Sequence, residues 1–494
     1  MTGAAAGGYY AALVSSLRAV DQPTWLDARA WRRLAERLTS ALHLARSAGH
    51  PRLASVTARC ADEIDPVAIV LASREDGEPW FAFEQPDRDR RALGTLGSVL
   101  GLSLAAGTND PVSQLSRRWR DVVAAGALDE TSGVPGSGPL AVGGLPFTPG
   151  LPLDRAWSGL GPAGLSVPAI SLARGGGECW LTVNALVAPD DTIESLLEAI
   201  EQRLRRLRVK PLPLFDPAPA GGTVVRSVMP PAHYEEAVAR AVQRIRSGEL
   251  EKIVLAREVE VTAAVDYDPG ALFGVLRDAF ASCFVYATGR GETTFIGASP
   301  ELLVRREGAR ASTVALAGST RRSADPAVDD HLGEQLLRSD KDREENVIVA
   351  RRIVRALRPH AVWVTAAPEP GLVRVANIQH LGLPIRAQLA RPLGALELAA
   401  LLHPTPAVGG EPWSVAGPLI PALEGFDRGL YAAPLGWSDA SGDGEFCVGL
   451  RCALLTGPRA RLFAGAGIVR DSDPAAELAE TEVKLGALLP LLAA

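Results

Sequence analysis

Apolar residues recur at intervals of three and four in several segments, which is the spacing of one buried face of an α-helix. Within residues 1–50, the positions on this period are Leu34, Leu38, Ala41, Leu42 and Ala45. Further helices are predicted over residues 190–208, 231–247, 327–358 and 474–489. Gly248 follows one of these segments where a C-terminal cap would lie, and Asp473 precedes the last segment as an N-cap. Pro490 is expected to end that last helix.

Short apolar runs between these segments predict β-strands. The runs are AIVLAS and WFAFE within residues 52–83, Ala169–Ala173, Trp180–Val183, KIVLAREVEV from Lys252, and residues 444–456 and 460–470. The stretch Thr131–Pro152 is dense in Gly, Pro and Ser, which predicts an irregular loop. Residues 211–222, PLPLFDPAPAGG, have the composition of a linker, so we place a boundary between residues 1–222 and 223–494.

The totals describe an ordinary globular chain that is too long for one simple core. It has 494 residues, above the roughly 250–300 residues at which single cores stop growing. Hydrophobic residues make up 47% and charged residues 22%. The formal net charge of −6 disfavours nucleic-acid binding, which needs a positive field. It does not disfavour an anionic small molecule, because a pocket can be locally positive on an acidic protein.

The cysteine pattern and the N-terminus both predict a soluble cytoplasmic protein. The five cysteines are odd in number and include no CxxC pair, so neither a disulfide framework nor a zinc site is expected. We interpret all five as packing residues, with Cys447 and Cys452 on opposite faces of one strand. The first residues lack a basic region followed by an apolar run, so no signal peptide is predicted. No apolar stretch approaches a membrane span.

The last predicted helix carries a polar face that suits the edge of a site. Glu477, Glu480, Thr481 and Lys484 follow one another at helical spacing, beside a separate leucine stripe. The carboxylates are suitable ligands for a hard cation such as Mg²⁺, and the lysine is suitable for an anionic group. A solvated face with paired charges is the ordinary alternative, and spacing alone favours that alternative.

Three further residues stand where a polar group meets an apolar run. Glu345 ends a charge run just before Val347, where the helix turns inward, and a buried carboxylate there needs a partner such as a metal. Lys252 opens an apolar strand, and enclosure would allow its amine to act as a base. Glu301 lies between two apolar runs, where a dry pocket would make it a general acid. Taken alone, each residue also has an ordinary interpretation, because charge runs are usually solvated and a lysine at a strand entrance is usually a surface residue.

Familiar nucleotide and zinc motifs are missing from the sequence. The run AGAGIV, residues 464–469, permits close backbone approach to a ligand but is not a GxGxxG fingerprint. No GxxxxGK[ST] loop and no HExxH spacing occurs, so the sequence disfavours a nucleotide-binding protein and a zinc enzyme.

Residues 230–485 resemble the chorismate-utilising enzymes, the family of isochorismate, salicylate, anthranilate and aminodeoxychorismate synthases. The motifs that carry the resemblance are KIVLAREV, FIGASPELL, ALAGSTRR, LLRSDKDREEN, NIQHLG, HPTPAVGG, EGFDRGLYAAPLGW, GEFCVGLRCA and GAGIVRDSDPAAELAETEVK. The resemblance implies an α+β fold, a two-layered antiparallel sheet core flanked by helices, with the pocket between the layers. It also implies that residues 1–222 are the N-terminal half of this composite fold and residues 223–494 the chorismate-binding catalytic region.

The resemblance assigns roles to particular positions. It implies that Glu345 and Glu480 are direct Mg²⁺ ligands and that Glu477 is an outer ligand through water. It implies that Lys252 activates water for attack at C2 of chorismate, and that Glu301 assists loss of the C4 hydroxyl. Further substrate contacts are implied for His380, Ala407, Tyr431, Arg451, Gly467 and Lys484.

Within the family, the motifs are most similar to those of isochorismate synthases. Ala317 stands where aminodeoxychorismate synthases carry a lysine, and Ala407 stands where ammonia-using and salicylate synthases tend to have threonine. Salicylate synthesis, an ammonia-using reaction and an inactive chorismate binder remain alternatives, and monomer is the expected state. Menaquinone, siderophore and salicylate pathways all stay open. Asn346 and Leu383 depart from the family pattern, so we expect altered surroundings of the metal and altered positioning near His380.

Overall fold

The structure is a computed structural model that describes residues 25–104, 110–129, 133–149, 153–217, 221–376 and 378–493. The predicted periodic segment of residues 1–50 is therefore described from residue 25 onward. In these parts of the chain the strands form a 13-stranded first sheet and a 10-stranded second sheet.

The strands are, in chain order, β1 Arg52–Cys60, β2 Trp80–Gln85, β3 Arg91–Leu96, β4 Leu100–Ser103, β5 Ala127–Leu128, β6 Leu140–Gly144, β7 Gly164–Val167, β8 Ile170–Gly175, β9 Glu178–Val187, β10 Val224–Ser227, β11 Lys252–Thr262, β12 Phe284–Arg290, β13 Thr293–Ser299, β14 Leu302–Glu307, β15 Arg310–Arg321, β16 Ala361–Ala366, β17 Gly371–Arg374, β18 Ile378–Leu389, β19 Gly410–Glu411, β20 Pro434–Asp439, β21 Gly444–Val448, β22 Cys452–Thr456 and β23 Arg459–Ile468. The helices are α1 Ala28–Ala48, α2 Pro66–Ser73, α3 Pro111–Ala124, α4 Ile193–Arg205, α5 Pro231–Arg246, α6 Pro269–Ala279, α7 Pro326–Arg338, α8 Asp340–Leu357, α9 Ala395–Leu402, α10 Trp413–Glu424, α11 Pro474–Leu485 and α12 Leu489–Leu492.

Both sheets are built from strands of both halves of the chain. The order in the first sheet is β10-β11-β23-β22-β13-β12-β2-β3-β8-β9-β1-β5, with β19 beside β11. The order in the second is β16-β18-β15-β14-β21-β20-β6-β7-β4, with β17 beside β18. Neighbours pair in antiparallel fashion except β1 and β5. The predicted α+β fold with an antiparallel two-layered core is confirmed. The boundary at residue 222 stays a prediction.

Two apolar cores hold the layers together. One contains residues of both sheets, including Leu255 and Phe295 of the first sheet and Ile385 and Leu435 of the second. The other joins the first sheet to α1, α2 and α6. The predicted face of α1 is buried in this second core, and α5 ends before Gly248, whose φ of 81° is the left-handed conformation of a helix C-terminus.

Several predicted elements were wrong in type or extent. AIVLAS lies in helix α2, because Asp65 accepts hydrogen bonds from the amides of Val67 and Ala68 and so caps a helix that is buried on all sides. The long helix of residues 327–358 is broken at Ser339, whose side chain caps α8. The loop Thr131–Pro152 contains strand β6. Helix α11 ends at Leu485, and Pro490 lies in the first turn of α12 rather than ending α11.

Residues 444–456 are two strands rather than one. Strand β21 belongs to the second sheet and β22 to the first, so the chain changes sheet at Gly449–Arg451. Cys447 and Cys452 therefore do not share a strand, which corrects the prediction of opposite faces. All five cysteines are free thiols, and all except Cys60 are buried. Among the described residues, no helix has both the length and the apolar character needed to cross a bilayer.

Replacing Leu38 by alanine is expected to lower the free energy of unfolding by about 2–5 kcal/mol, because its side chain leaves a cavity in a close-packed core. Leu38 is 0% exposed on α1, whereas Leu44 on the same helix is 43% exposed. Chemical denaturation of both variants tests this. Leu44→Ala should change stability little, and equal losses in the two variants would contradict the described face of α1.

Candidate active site

A cavity lies between the two sheets, with about 710 Å³ of space not filled by protein atoms when the open solvent at its mouth is included. The first sheet contributes Val254 of β11 and the glycines of β23, and the second contributes the bulged end of β15. The predicted site residues that line the cavity are Glu301, Glu345, His380, Ala407, Tyr431, Arg451, Gly467, Glu480 and Lys484. Lys252 and Glu477 are outside the lining: Lys252 lies against Glu345, which lines the cavity, and Glu477 pairs with Lys341, which does not.

Lys252 is enclosed at the start of β11. Its side chain is 0% exposed, and its Nζ lies 2.8 Å from Glu345 Oε1 of α8. The distance is that of an ion pair, but the direction is not that of a hydrogen bond, and Nζ has no hydrogen-bond partner among the described residues. The amine therefore faces the cavity-lining carboxylate without being locked to it.

Gly467 gives Glu345 and Lys252 the space they occupy. Gly467 of β23 pairs with Val254 of β11, across from the Lys252 side chain. A Cβ at this position would lie 2.2 Å from Glu345 Oε1 and 3.0 Å from Lys252 Cε. Any side chain here would displace both groups, so the glycine permits their close approach to the strand.

Gly467→Ala is therefore expected to lower the kcat of the reaction that takes place in this cavity by about 100-fold. This is the scale of loss when reacting groups move by about 1 Å. Steady-state kinetics on the folded variant measures this. The matched control is Gly371→Ala on β17, where a Cβ meets no atom within 4 Å. Wild-type kcat in Gly467→Ala would show that the Glu345 and Lys252 positions do not matter.

Glu301 lies where the chain passes from the first sheet to the second, between β13 and β14. Its side chain is buried in the cavity wall. Burial raises its pKa to about 8, against the lowering effect of the positive charges on Lys252 and Lys484. Glu301 is thus protonated at neutral pH and has a proton to donate.

The polar face of α11 is held against both sheets. Lys484 Nζ lies 2.7 Å from Glu480 Oε1 and donates to the carbonyl oxygen of Gly465 at 2.8 Å. Ser319 of β15 donates to Glu480 at 3.0 Å. Burial raises the pKa of Glu480, but the charge and hydrogen bonds of Lys484 and Ser319 outweigh it and bring the pKa to about 2. Glu480 is therefore a carboxylate at the cavity.

Glu477 is the most enclosed carboxylate of this face, at 1% exposure. Lys341 donates to its Oε1 at 2.8 Å, while Oε2 has no hydrogen-bond partner among the described residues. Burial raises its pKa, which the neighbouring Lys341 opposes. An orphaned buried oxygen of this kind is costly unless another group completes it.

The donor set fits a Mg²⁺ ion in chemistry. Glu345 and Glu480 present carboxylates to the cavity and Glu477 has an unpartnered oxygen, which is the all-oxygen set that this hard cation prefers. Each carboxylate is paired with a lysine in this structure. Within the described ranges, no three His, Cys, Asp or Glu side chains converge closely enough to hold a metal.

His380, Arg451 and Tyr431 form the other side of the cavity. Arg451 Nη2 lies 3.2 Å from His380 Nε2. Burial and the Arg451 charge lower the pKa of His380 to about 3, so the ring is neutral and can accept a hydrogen bond. Tyr431 stacks on Phe463 with ring centroids 5.2 Å apart, and burial raises its pKa. This side therefore combines one fixed positive charge with a neutral ring and a phenol.

The two departures from the family motifs lie behind the cavity. Asn346 is 0% exposed and its Nδ2 donates to the carbonyl oxygens of Ala315, Ala317 and Leu381, which ties α8 to β15 and β18. Leu383 pairs with Ala315 and is buried in the core between the sheets. Their effect on rate stays a prediction.

Sequence reasoning missed Lys341, Ser319 and the buried pair of Glu424 and Arg428. Lys341 lies in the charge run that Glu345 ends, and side chains in such a run are ordinarily solvated, yet Lys341 contacts Glu477 136 residues away. Ser319 stands in the ALAGSTRR motif and Arg428 in EGFDRGLYAAPLGW. The available signal was that these polar residues stand within the motifs that carry the family resemblance.

The sequence profile of a family described as chorismate binding enzyme matches residues 38–493. This chain belongs to that family. A relative from Pseudomonas aeruginosa, named salicylate biosynthesis isochorismate synthase, is 38% identical over 436 residues, which cover 88% of this chain and 89% of the relative. The isochorismate synthase MenF of Bacillus subtilis is 31% identical, and the match covers 92% of this chain and 96% of that protein.

Solved structures of chorismate binding enzymes share the fold. The menaquinone-specific isochorismate synthase MenF from Escherichia coli has a TM-score of 0.74 at 26% identity, covering 92% of this chain and 100% of that one. Anthranilate synthase component I from Streptococcus pneumoniae has a TM-score of 0.60 at 21% identity, covering 89% and 92%. The second likeness concerns the fold alone.

Proposed function

We propose that this chain is an isochorismate synthase, an isomerase that converts chorismate to isochorismate with bound Mg²⁺. The observation that carries the proposal is the cavity itself, which has a protonated Glu301 in its wall and the enclosed amine of Lys252 behind Glu345. Relatives that match most of the chain are named isochorismate synthases, which supports the same reaction.

The two groups address the two difficult steps of moving a hydroxyl group. In its uncharged form, the Lys252 amine takes a proton from water, whose oxygen bonds to C2 of the ring. Both ring double bonds shift, C1=C2 to C1=C6 and C5=C6 to C4=C5, as the C4–O bond breaks, and Glu301 gives the departing hydroxyl a proton so that it leaves as water. One water enters and one leaves, so the product is an isomer. Lys252 ends with the extra proton and Glu301 without one, and exchange with solvent resets them.

Anchoring of the substrate follows from the charges of the cavity. We assign the enolpyruvyl carboxylate to Arg451 and Lys484, with the Tyr431 hydroxyl and the backbone around Gly467 beside it. His380, held neutral, lies at the ring. Glu345 and Glu480 would hold Mg²⁺ directly and Glu477 through water. When bound, the ion supplies positive charge that fixes the ring carboxylate and screens the substrate dianion.

The names of relatives mention salicylate, menaquinone and 2,3-dihydroxybenzoate, so the reaction is shared by enzymes that serve several pathways. Salicylate synthase remains the second reading from the sequence, and its product would appear in the same assay.

The test is incubation of the purified chain with chorismate and Mg²⁺, with and without an ammonium salt, followed by chromatographic separation of products. We expect isochorismate in equilibrium with chorismate, a loss of turnover of at least about 100-fold on chelation, since the ion supplies several kcal/mol of charge stabilisation, and recovery when Mg²⁺ is restored. Salicylate with pyruvate would replace the proposal by salicylate synthesis. An aminated product would show that Ala317 and Ala407 were misinterpreted. Unchanged turnover in the presence of EDTA would contradict the proposed dependence on Mg²⁺.

A further inference from the structure

A fully buried ion pair lies directly behind the cavity wall. Glu424 is the last residue of α10, and its side chain is 1% exposed, while that of Arg428 is 2% exposed. Arg428 Nε donates to Glu424 Oε2 at 2.9 Å, and Arg428 Nη2 donates to Glu424 Oε1. Neither residue lines the cavity, and neither is used in the chemistry described above.

Arg428 joins two separate pieces of the cavity wall. Its Nη1 donates to the carbonyl oxygen of Val408 at 2.7 Å, and its Nη2 donates to that of Val254 at 2.9 Å. Both valines line the cavity. Val254 lies two residues after Lys252 on β11, and Val408 follows Ala407. One guanidinium therefore ties the strand that carries Lys252 to the loop beside the substrate.

Glu424 and the neighbouring aromatic rings complete the arrangement. Glu424 Oε1 accepts a hydrogen bond from the amide of Ala256 at 2.7 Å, so the carboxylate holds β11 as well. Arg428 Cζ lies 4.4 Å from the centroid of the Phe147 ring and 5.6 Å from that of Tyr431. The amide of Tyr431 donates to the Arg428 carbonyl at 2.8 Å. The pair thus contacts three parts of the wall: β11, the loop at Val408 and Tyr431.

Stability alone is a poor reason for such a pair. Burying two charges is costly, and replacing a buried pair by apolar residues of similar volume is often neutral or stabilising. A planar guanidinium instead gives donors at fixed angles, which sets distances between the groups it binds. Resting on the proposed function, we propose that Glu424 and Arg428 are positioning residues that fix the spacing between the Lys252 strand, the Ala407–Val408 loop and Tyr431.

The test compares three variants in the isochorismate assay. The double variant Glu424→Leu/Arg428→Met removes both charges while keeping apolar volume, and Arg428→Lys keeps a charge but loses the planar fork. The matched control is Glu258→Gln. The Glu258 carboxylate lies on β11, the strand of Lys252, is 2% exposed, pairs with Arg461 and is absent from the cavity lining. Melting temperature gives the folded state, and kcat, KM and the pH profile are measured on folded protein.

We expect the double variant to melt close to the wild type while its kcat falls by about 10–100-fold, the effect of a small displacement of reacting groups. Its KM and pH profile should change little, because the acid, the base and the substrate charges are intact. The kcat of Arg428→Lys should lie between those of the wild type and the double variant, and Glu258→Gln should keep the wild-type kcat. Wild-type kcat in the folded double variant, or a loss in Glu258→Gln equal to that in Arg428→Lys, would overturn the proposal.

Two further outcomes separate this inference from the proposed function. A wild-type chain that makes no isochorismate refutes the function, and amide hydrogen exchange of β11 around Val254–Ala256 and of the loop at Val408, measured on the same variants, then replaces kcat. Exchange unchanged in both Arg428 variants would refute the positioning role in that case. If the double variant does not fold, Arg428→Lys against Glu258→Gln carries the comparison by itself.

Discussion

Lys252→Ala is expected to lower kcat for isochorismate formation by about 10²–10⁴-fold, the usual contribution of a positioned acid or base. Lys252 is the enclosed amine nearest the cavity carboxylate Glu345, at 2.8 Å and 0% exposure. Its removal takes away the amine to which the proposed mechanism assigns the proton from water. Because the substrate carboxylate is assigned to Arg451 and Lys484, which line the cavity, chorismate binding should persist, so kcat falls far more than affinity.

The matched control is Lys210→Ala, which removes an exposed lysine before the linker. Rapid-quench product analysis and calorimetric binding on both variants separate turnover from affinity. A Lys252→Ala enzyme that keeps its rate would move the base elsewhere and leave the Lys252–Glu345 contact as an ordinary ion pair. Loss of binding together with rate would show instead that Lys252 maintains the shape of the cavity.

Glu301→Gln should cause a loss of similar size and should also remove one limb of the pH profile. The pKa of Glu301 is raised to about 8 by burial, so the wild-type acid is protonated at neutral pH and loses its proton above about pH 8. The wild-type rate should therefore fall as the pH rises through that value. Glutamine has the same shape but no acidic proton, so the residual rate of the variant should lack this step.

The same shift has a consequence for stability with a definite sign. The folded pKa of about 8 lies above the ordinary value of 4.5, so the folded state holds this proton more tightly than the unfolded chain. The resulting stabilisation is fully present below about pH 4.5 and is lost as the pH rises through about 8. Melting temperatures of wild type and Glu301→Gln should therefore diverge in favour of the variant between about pH 4.5 and 8. A constant difference would mean that Glu301 is ionised at neutral pH.

The sequence predicted an element correctly where the helix period and a capping residue are both visible within the segment itself. Helix α5 has one apolar face and Gly248 after it, and both features are visible in the sequence. Helix α2 was misassigned because a continuous apolar run has no periodicity to separate a buried helix from a buried strand. The change of sheet at Arg451 has no local signal either. Its φ of 49° is a conformation usually marked by glycine in a sequence, and an arginine gives no indication of it.

The candidate site shows the same division. Resemblance supplied the positions of Glu301, Glu345 and Glu480, and the structure places them on one cavity. The contacts of Lys341 with Glu477 and of Arg428 with Val408 and Val254 depend on how distant segments pack. Spacing along a helix gives no access to such pairs, because each partner alone has the pattern of a surface charge or a motif residue.

The pairing of β12 with β2 and of β20 with β6 has a consequence for dividing this protein. These pairs join strands from the two sides of the linker, five residue pairs in each case, near the middle of the two sheets. A chain cut at the linker would leave β12 and β20 as open edges, with rows of unpaired amides and carbonyls of the kind that recruit other chains. The linker therefore separates two stretches of sequence but not two independent sheets. A chimera that joins the N-terminal half of one relative to the C-terminal half of another must preserve the registers of β12 with β2 and of β20 with β6.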